Sequence, residues 1–201
     1  MTVSLKDVSL RYGEKQILDR LSLTLPAQGL VCFFGPSGCG KTSLLRLLAG
    51  ISDPDSGEIQ GLGGLKPSMV FQEDRLLPWL TVSDNVSLVL EKSGDTARYW
   101  LDQVGLGTEA DKFPKQLSGG MQRRVALARA LAYGGDYLLL DEPFTGLDAA
   151  LAERLLRLII ELYSGKLTVM ITHDKELCRF AGHIYEVSGL PLTINALYEH
   201  V

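Results

Sequence analysis

The stretch Gly35-Pro36-Ser37-Gly38-Cys39-Gly40-Lys41-Thr42-Ser43 decides how the rest of the chain is read. It follows an apolar run, Leu30 to Phe34, with the composition of a buried strand, and it precedes Leu44 to Ala49, a helix closed by Gly50. Strand, glycine-rich turn and helix in that order make a phosphate-binding loop. Glycines let successive backbone N–H groups converge on phosphate oxygens where a Cβ would intrude. The helix N-terminus adds the positive end of its dipole. Lys41 then reaches the β- and γ-phosphates, and the Thr42 hydroxyl is placed to ligate Mg²⁺. Glycine content alone would fit a turn that binds nothing; the full spacing, ending in Lys-Thr between strand and helix, separates this stretch from such a turn.

The totals agree with a globular protein. The chain has 201 residues, enough for one or two compact units with a substantial core. Hydrophobic residues make up 46% and charged residues 22%, an ordinary balance for a folded domain. A net charge of −4 gives no support for nucleic-acid binding through bulk positive charge. No apolar run approaches a bilayer span, and Met1 to Lys6 lack the apolar core of a secretory signal, so the chain reads as neither membrane-spanning nor exported. Cys32, Cys39 and Cys178 have no metal-ligand spacing, and their odd number reads as reduced cytosolic thiols.

In chain order, Val3 to Arg11 and Ile17 to Leu25 read as two strands joined through Gly13-Glu14-Lys15 in an antiparallel hairpin. Short strands are expected at Glu58 to Gln60 and at Ser68 to Phe71, the second ending at Gln72. Thr81-Val82-Ser83-Asp84 has the spacing of a capping box and opens a helix through about Glu91, and a second helix runs from Thr96 to Val104. No strand pattern separates Thr81 from Leu117, so this part is a helical insertion in an α/β chain. Ser118 caps the next helix, in which Val125, Ala128, Leu131 and Ala132 recur at helical spacing while Arg123 and Arg124 face elsewhere. Tyr137 to Leu140 and Leu167 to Ile171 are buried strands; Asp148 caps a helix from Ala149 to Tyr163, and Asp174 to Ala181 is a short helix. His183 to Val187 and Leu192 to Ile194 finish the chain as edge strands. Strands alternating with helices indicate a mostly parallel sheet built from βαβ units.

Chemistry concentrates at strand ends. Asp141-Glu142 follows four residues of buried strand, where doubly wound sheets bind their ligands. Adjacent acids point in different directions, so Asp141 can hold Mg²⁺ and Glu142 can act as general base on an attacking water. An acid pair ending an apolar strand also needs a cation nearby. His173 ends a buried strand as well and either binds a γ-phosphate oxygen or is a satisfied structural histidine; Gln72 leaves the same choice open. Ser118-Gly119-Gly120 offers a second anion site, made of a hydroxyl, bare N–H groups and a helix N-terminus. A single nucleotide does not easily fill both anion sites of one chain, which suggests ATP sandwiched between Lys41 of one copy and Ser118 of another.

Taken together these motifs resemble the nucleotide-binding subunit of an ABC transporter over nearly the whole chain, from about Leu5 to Val187. Tyr12 matches the aromatic A-loop, Gly35 to Ser43 the Walker A loop, and Gln72 the Q-loop. Leu117-Ser118-Gly119-Gly120-Met121-Gln122 matches the signature, Tyr137 to Pro143 the Walker B strand, Gly146-Leu147-Asp148 the D-loop, and His173 the H-loop. The signature is the most specific of these, since a Walker A loop alone is shared by other P-loop NTPases. The resemblance implies a P-loop NTPase core with a mostly parallel sheet, an antiparallel N-terminal β part and a helical signature subdomain. It implies one domain over 1–201, with 1–73 and 134–201 as the RecA-like core and 74–133 as the helical subdomain.

By the same resemblance, Tyr12 stacks on adenine, Gly35 to Ser43 bind ATP, and Ser118, Gly119 and Gly120 bind it from the partner copy. Glu142, His173, Gln72 and Lys41 are the catalytic residues, and Thr42, Gln72 and Asp141 hold Mg²⁺. Asp148 contacts the second copy near its Walker A loop. The segment Gln72 to Asn85, with Leu76-Leu77-Pro78-Trp79, resembles the face that receives a transmembrane permease, and Leu-Leu-Pro-Trp-Leu-Thr-Val resembles importers of the nitrate, sulfonate and taurine group. The implied protein hydrolyses ATP at the cytoplasmic face of the membrane, closes as a head-to-tail dimer and drives import alongside a solute-binding protein. The last strands are followed by no regulatory domain, unlike importers with a C-terminal regulatory module, and the D-loop reads Thr145-Gly146-Leu147-Asp148 rather than the commoner Ser-Ala-Leu-Asp. A soluble ABC ATPase acting on DNA or ribosomes usually carries two cassettes or a long coiled coil, and a small-molecule kinase leaves Leu117 to Gln122 without a purpose.

Overall fold

The computed structural model describes residues 2–90 and 96–199. Strands β1 (Val3–Tyr12) and β2 (Lys15–Leu25) alternate buried and exposed side chains and pair antiparallel, from Tyr12 opposite Lys15 to Val3 opposite Leu25. The phosphate-loop strand, β3 (Gly29–Phe34), and the first helix, α1 (Lys41–Leu48), follow as expected. The short strand β4 (Ser56–Gln60) then joins the free edge of β1. The antiparallel part therefore has three strands, ordered β2-β1-β4, where the sequence shows only the hairpin.

A second sheet carries the site. Its strands are β5 (Pro67–Val70), β6 (Tyr137–Asp141), β7 (Leu167–Thr172), β3, β8 (His183–Ser188) and β9 (Thr193–Glu199), in that spatial order. All neighbours are parallel except β8 and β9. The expectation of two edge strands at the C-terminus holds for β9 but not for β8, which lies between β3 and β9. Its polar residues suggest an edge, yet Tyr185 and Val187 are buried and the Tyr185 ring stacks on Phe33 with centroids 4.9 Å apart.

Successive side chains of β3, β6 and β7 feed two cores on opposite faces of this sheet, as parallel strands covered on both sides require. Cys32, Leu138, Leu140 and Met170 face the helices, while Val31, Phe33, Leu139, Val169 and Ile171 face α1 and the antiparallel sheet. The helical side is formed by α2 (Val82–Ser87), α3 (Ala97–Gln103), α4 (Gly119–Tyr133), α5 (Ala149–Leu162) and α6 (Lys175–Cys178). Thr81 caps α2 by accepting from the Asp84 N–H at 3.0 Å, and Asp148 caps α5 by accepting from Leu151 at 2.9 Å. α2 ends at Ser87 rather than near Glu91, a position outside the described residues. α6 is a single turn and not the longer helix expected to Ala181, because Gly182 already donates to the Leu30 carbonyl alongside β3. Among the described residues no helix is long and apolar enough to cross a membrane.

Candidate nucleotide-binding site

The loop after β3 turns into α1 through Gly40, whose φ of 102° lies in the left-handed region that a side chain disfavours. Lys41, only 6% exposed, folds back along the loop, and its Nζ donates to the carbonyls of Gly35 at 2.8 Å and Pro36 at 2.7 Å. A cavity of about 190 Å³ opens over this turn. Ser37, Gly38, Gly40, Lys41, Thr42 and Ser43 line one side, and Gln72, Asp141 and Glu142 line the other. The parallel pairing explains the convergence: β5, β6, β7 and β3 end side by side, with Val70 opposite Leu140, Asp141 opposite Ile171, and Phe34 opposite Thr172.

Asp141 is buried at the floor of this cavity. Burial pushes its carboxyl above the ordinary aspartate range, and Glu142 adds to the rise, while the Thr42 hydroxyl, Lys41 and Arg46 pull the other way. A carboxylate disfavoured by burial and set beside a threonine hydroxyl is a donor set suited to a divalent cation shared with phosphate oxygens. The glycine cradle and the lysine suit the phosphates themselves. The residues present therefore fit both a nucleotide and Mg²⁺.

Glu142 follows on the same strand end with φ of 50°, a left-handed backbone that costs about 1–3 kcal/mol and is retained where surroundings impose it. Its N–H donates to the Ile171 carbonyl at 3.0 Å, which fixes the turn. The side chain meets His173 beyond β7, with Nδ1 and Oε2 at 2.8 Å. His173 is largely exposed and lines an adjoining cavity of about 230 Å³ together with Glu142, Thr145, Gly146 and Leu147. The two strand-end residues that the sequence leaves open thus separate: Gln72 stands on the phosphate-loop cavity, and His173 stands on Glu142 from the other side.

Ser118 caps α4 as expected, accepting from the Met121 N–H at 3.3 Å. Gly120 packs so closely on the 146–147 turn that a Cβ there would lie 3.1 Å from the Gly146 carbonyl oxygen. Ser118, Gly119 and Gly120 do not line the phosphate-loop cavity of their own chain, nor does Tyr12, which is exposed at the tip of the hairpin. Gly35, Pro36 and Cys39 are also off the cavity wall, and Cys39 is buried in the core beneath the loop.

Arg123 lies off the apolar positions of α4, as the helical spacing has it, but the sequence does not show what it meets there. It is 9% exposed and turned toward the Gln72 segment. Nη1 donates to the Phe71 carbonyl at 2.7 Å and ion-pairs with Asp74 at 3.1 Å, and Nη2 donates to the Gln72 carbonyl. Arg129, further along α4, donates to the carbonyls of Asp74 and Arg75 at 2.9 Å each. Five polar contacts therefore tie the segment carrying Gln72 to the helix that begins at Ser118. Burial pushes the Asp74 carboxyl up despite both arginines. No local pattern signals Arg123, because the carbonyls it serves lie 51 and 52 positions earlier in the chain.

Comparison with known proteins agrees with this arrangement. Residues 18–145 match the protein family described as ABC transporter. The aliphatic sulfonates import ATP-binding protein SsuB 1 of Burkholderia cenocepacia is 44% identical over 179 residues, covering 86% of this chain and 56% of that protein. The sulfate/thiosulfate import ATP-binding protein CysA 2 of Chromobacterium violaceum is 44% identical over 83% of this chain and 50% of its own length. The chain thus spans about half the length of these relatives. The aliphatic sulfonates import ATP-binding protein SsuB of Bacillus cereus is 38% identical over 100% of this chain and 86% of its own. Among solved structures, the dimeric post-hydrolysis state of the ATP-binding cassette MJ0796 bound to ADP and Pi superimposes with a TM-score of 0.87 at 30% identity, covering 98% of each chain. With more than half of its residues matching the family and a relative aligned along its full length, this chain belongs to the ABC transporter family.

Proposed function

We propose that the chain is the ATP-hydrolysing subunit of an import system and that two copies close head-to-tail around ATP. The observation that carries this reading is the convergence of the phosphate loop, Gln72, Asp141 and Glu142 on one cavity, with His173 held on Glu142. Lys41 and the loop Gly35 to Ser43 bind the phosphates, the lysine exchanging its present bonds to Gly35 and Pro36 for phosphate oxygens. Thr42, Asp141 and Gln72 would hold Mg²⁺, which would supply neutralisation of phosphate charge. Glu142 accepts the proton of the attacking water, and His173 orients that carboxylate and stabilises the transferred phosphate. Tyr12 stacks on the adenine.

Ser118, Gly119 and Gly120 complete the site of the partner copy, and Asp148 faces that copy's phosphate loop. Their separation from the cavity of their own chain supports this assignment in trans. Residues 74–133 act as the helical subdomain and 1–73 with 134–201 as the core. The Arg123 and Arg129 contacts make the Gln72 segment move with α4, so that closure is passed to a permease docked at Gln72 to Asn85. Asn85 is fully buried and shapes that face through bonds to Leu77, Leu80 and Thr81, leaving Trp79 69% exposed. The chain then works at the cytoplasmic face of the membrane, beside a solute-binding protein. The relatives' names support a cargo of sulfonate or sulfate type.

Lys41→Ala and Glu142→Gln test the roles. Both are expected to abolish ATP turnover, while Glu142→Gln alone keeps ATP-driven dimerisation in sedimentation. Normal hydrolysis by Glu142→Gln protein, or a monomer at saturating ATP, overturns the reading. Co-purification from membranes identifies the permease and solute-binding partners.

A further inference from the structure

Two of the three cysteines have come together. Cys32 lies in β3, three residues before the phosphate loop, and Cys178 ends α6, five residues after His173. They are 146 positions apart in sequence, yet their Sγ atoms are 2.9 Å apart. Both belong to the same buried core, Cys32 fully and Cys178 with 4% exposure. Cys39 has no such neighbour; its nearest polar contact is Lys41 Nζ at 3.9 Å.

We propose that Cys32 and Cys178 form a reversible disulfide when the protein meets a peroxide, making the pair a redox modification site that ties the phosphate-loop strand to the helix following His173. The sulfurs need to close by less than an ångström to reach bonding distance. The two thiols also differ in a way that orders the chemistry. The Cys32 hydrogen bond draws Cys178 below the ordinary thiol value, with Lys175 assisting, while the same contact and burial push Cys32 up. Cys178, on the solvent-flanked turn α6 where Cys32 is fully enclosed in the sheet, is the attacking sulfur once it has lost its proton. Its access comes through α6, a single turn whose Lys175, Glu176 and neighbouring Arg179 are already in solvent, so a local opening exposes the sulfur without disturbing the sheet.

The atoms balance as follows. The Cys178 thiolate attacks one peroxide oxygen, the O–O bond breaks, and the sulfur becomes a sulfenic acid as the other oxygen leaves as water after taking a proton. The Cys32 sulfur then attacks the Cys178 sulfur. The S–S bond forms, the S–O bond breaks, and the hydroxyl leaves with the Cys32 proton as a second water. Two thiols and one peroxide give one disulfide and two waters, and a dithiol reductant reverses the link by exchange.

The test treats the whole chain with hydrogen peroxide and, separately, with diamide, then alkylates it in denaturant and maps the peptides without reduction. The expected product joins the Cys32 and Cys178 peptides and leaves Cys39 alkylated, and dithiothreitol restores all three thiols. Cys32→Ser and Cys178→Ser each abolish the linked peptide. Because the bond closes so long a loop in a fold that already brings the sulfurs together, the oxidised protein is expected to melt higher by on the order of 10 °C. Full alkylation of Cys32 and Cys178 after both oxidants, a link through Cys39 instead, or an oxidised protein that melts lower than the reduced one overturns the proposal. None of these readouts depends on ATP turnover.

Discussion

Replacing Arg123 by methionine keeps most of the side chain's apolar stem and removes its guanidinium. The structure fixes what is lost: two charged donors to the Phe71 and Gln72 carbonyls and an ion pair with Asp74 at 3.1 Å, between side chains 11% and 20% exposed. A hydrogen bond from a charged donor contributes about 1.5–3 kcal/mol, and breaking a largely buried pair costs about 3–5 kcal/mol, but these overlap and Asp74 keeps Arg129 nearby. A net loss of about 3 kcal/mol follows. In a domain of this size each kcal/mol lowers the melting temperature by about 2–4 °C, so the variant should melt about 6–12 °C below the parent. Calorimetry measures the melt, and hydrogen exchange reads residues 71–75 directly, where faster exchange is expected. Arg123→Lys should recover less than half of the loss, because a lysine cannot span two carbonyls and a carboxylate as a planar fork does. A methionine variant that melts within about 1 °C of the parent with unchanged exchange at 71–75 refutes the clamp.

Three further perturbations have expected outcomes. Asp141→Asn should melt higher than the parent at neutral pH in the absence of nucleotide. The raised carboxyl gives stability that is full below the unfolded-state value and is lost as pH rises through the folded-state value, so the gap should close on acidification; a gap that widens in acid contradicts the burial argument. The same variant should lose Mg²⁺-dependent ATP affinity, measured by calorimetric titration. Gly35→Ala places a Cβ 2.0 Å from the Val187 carbonyl oxygen, so it should lose about 1–3 kcal/mol of stability and displace the phosphate loop; an unchanged ATP affinity counts against the close approach. Alkylation of Cys39 should be slow in the native protein, slowed further by ATP, and should block ATP binding once complete; full binding by verified modified protein contradicts its place beneath the loop.

Local patterns were legible and long-range partnerships were not. β3 and β6 are short apolar runs ended by chemistry, and the caps Thr81, Ser118 and Asp148 each serve an N–H three residues on, so all could be read within a few positions. The destination of β4 depends on which strand leaves an edge free, and β1 does so only once β2 has paired. β8 reads as an edge strand by composition because the ring that covers Tyr185 comes from Phe33, far earlier in the chain. The candidate site divides in the same way. The phosphate loop and Asp141-Glu142 announce themselves, whereas the contact of His173 with Glu142, the arginine clamp and the meeting of Cys32 with Cys178 depend on how distant segments stack.

The order β5-β6-β7-β3 has a consequence for which changes in length the protein tolerates. Adjacent strands stand about 4.8 Å apart, so four strand ends set their groups along a line roughly 14 Å long. Strand order assigns each group its place on that line, and pairing assigns its depth. One residue inserted within β6 would carry Asp141 forward by about 3.3 Å and turn it to the opposite face of the sheet. The same residue inserted between α5 and β7 would move neither Asp141 nor His173. Lengthening of the connection between α5 and β7 is therefore nearly silent for the chemistry, while the five and six residues of β6 and β7 are held to their present count.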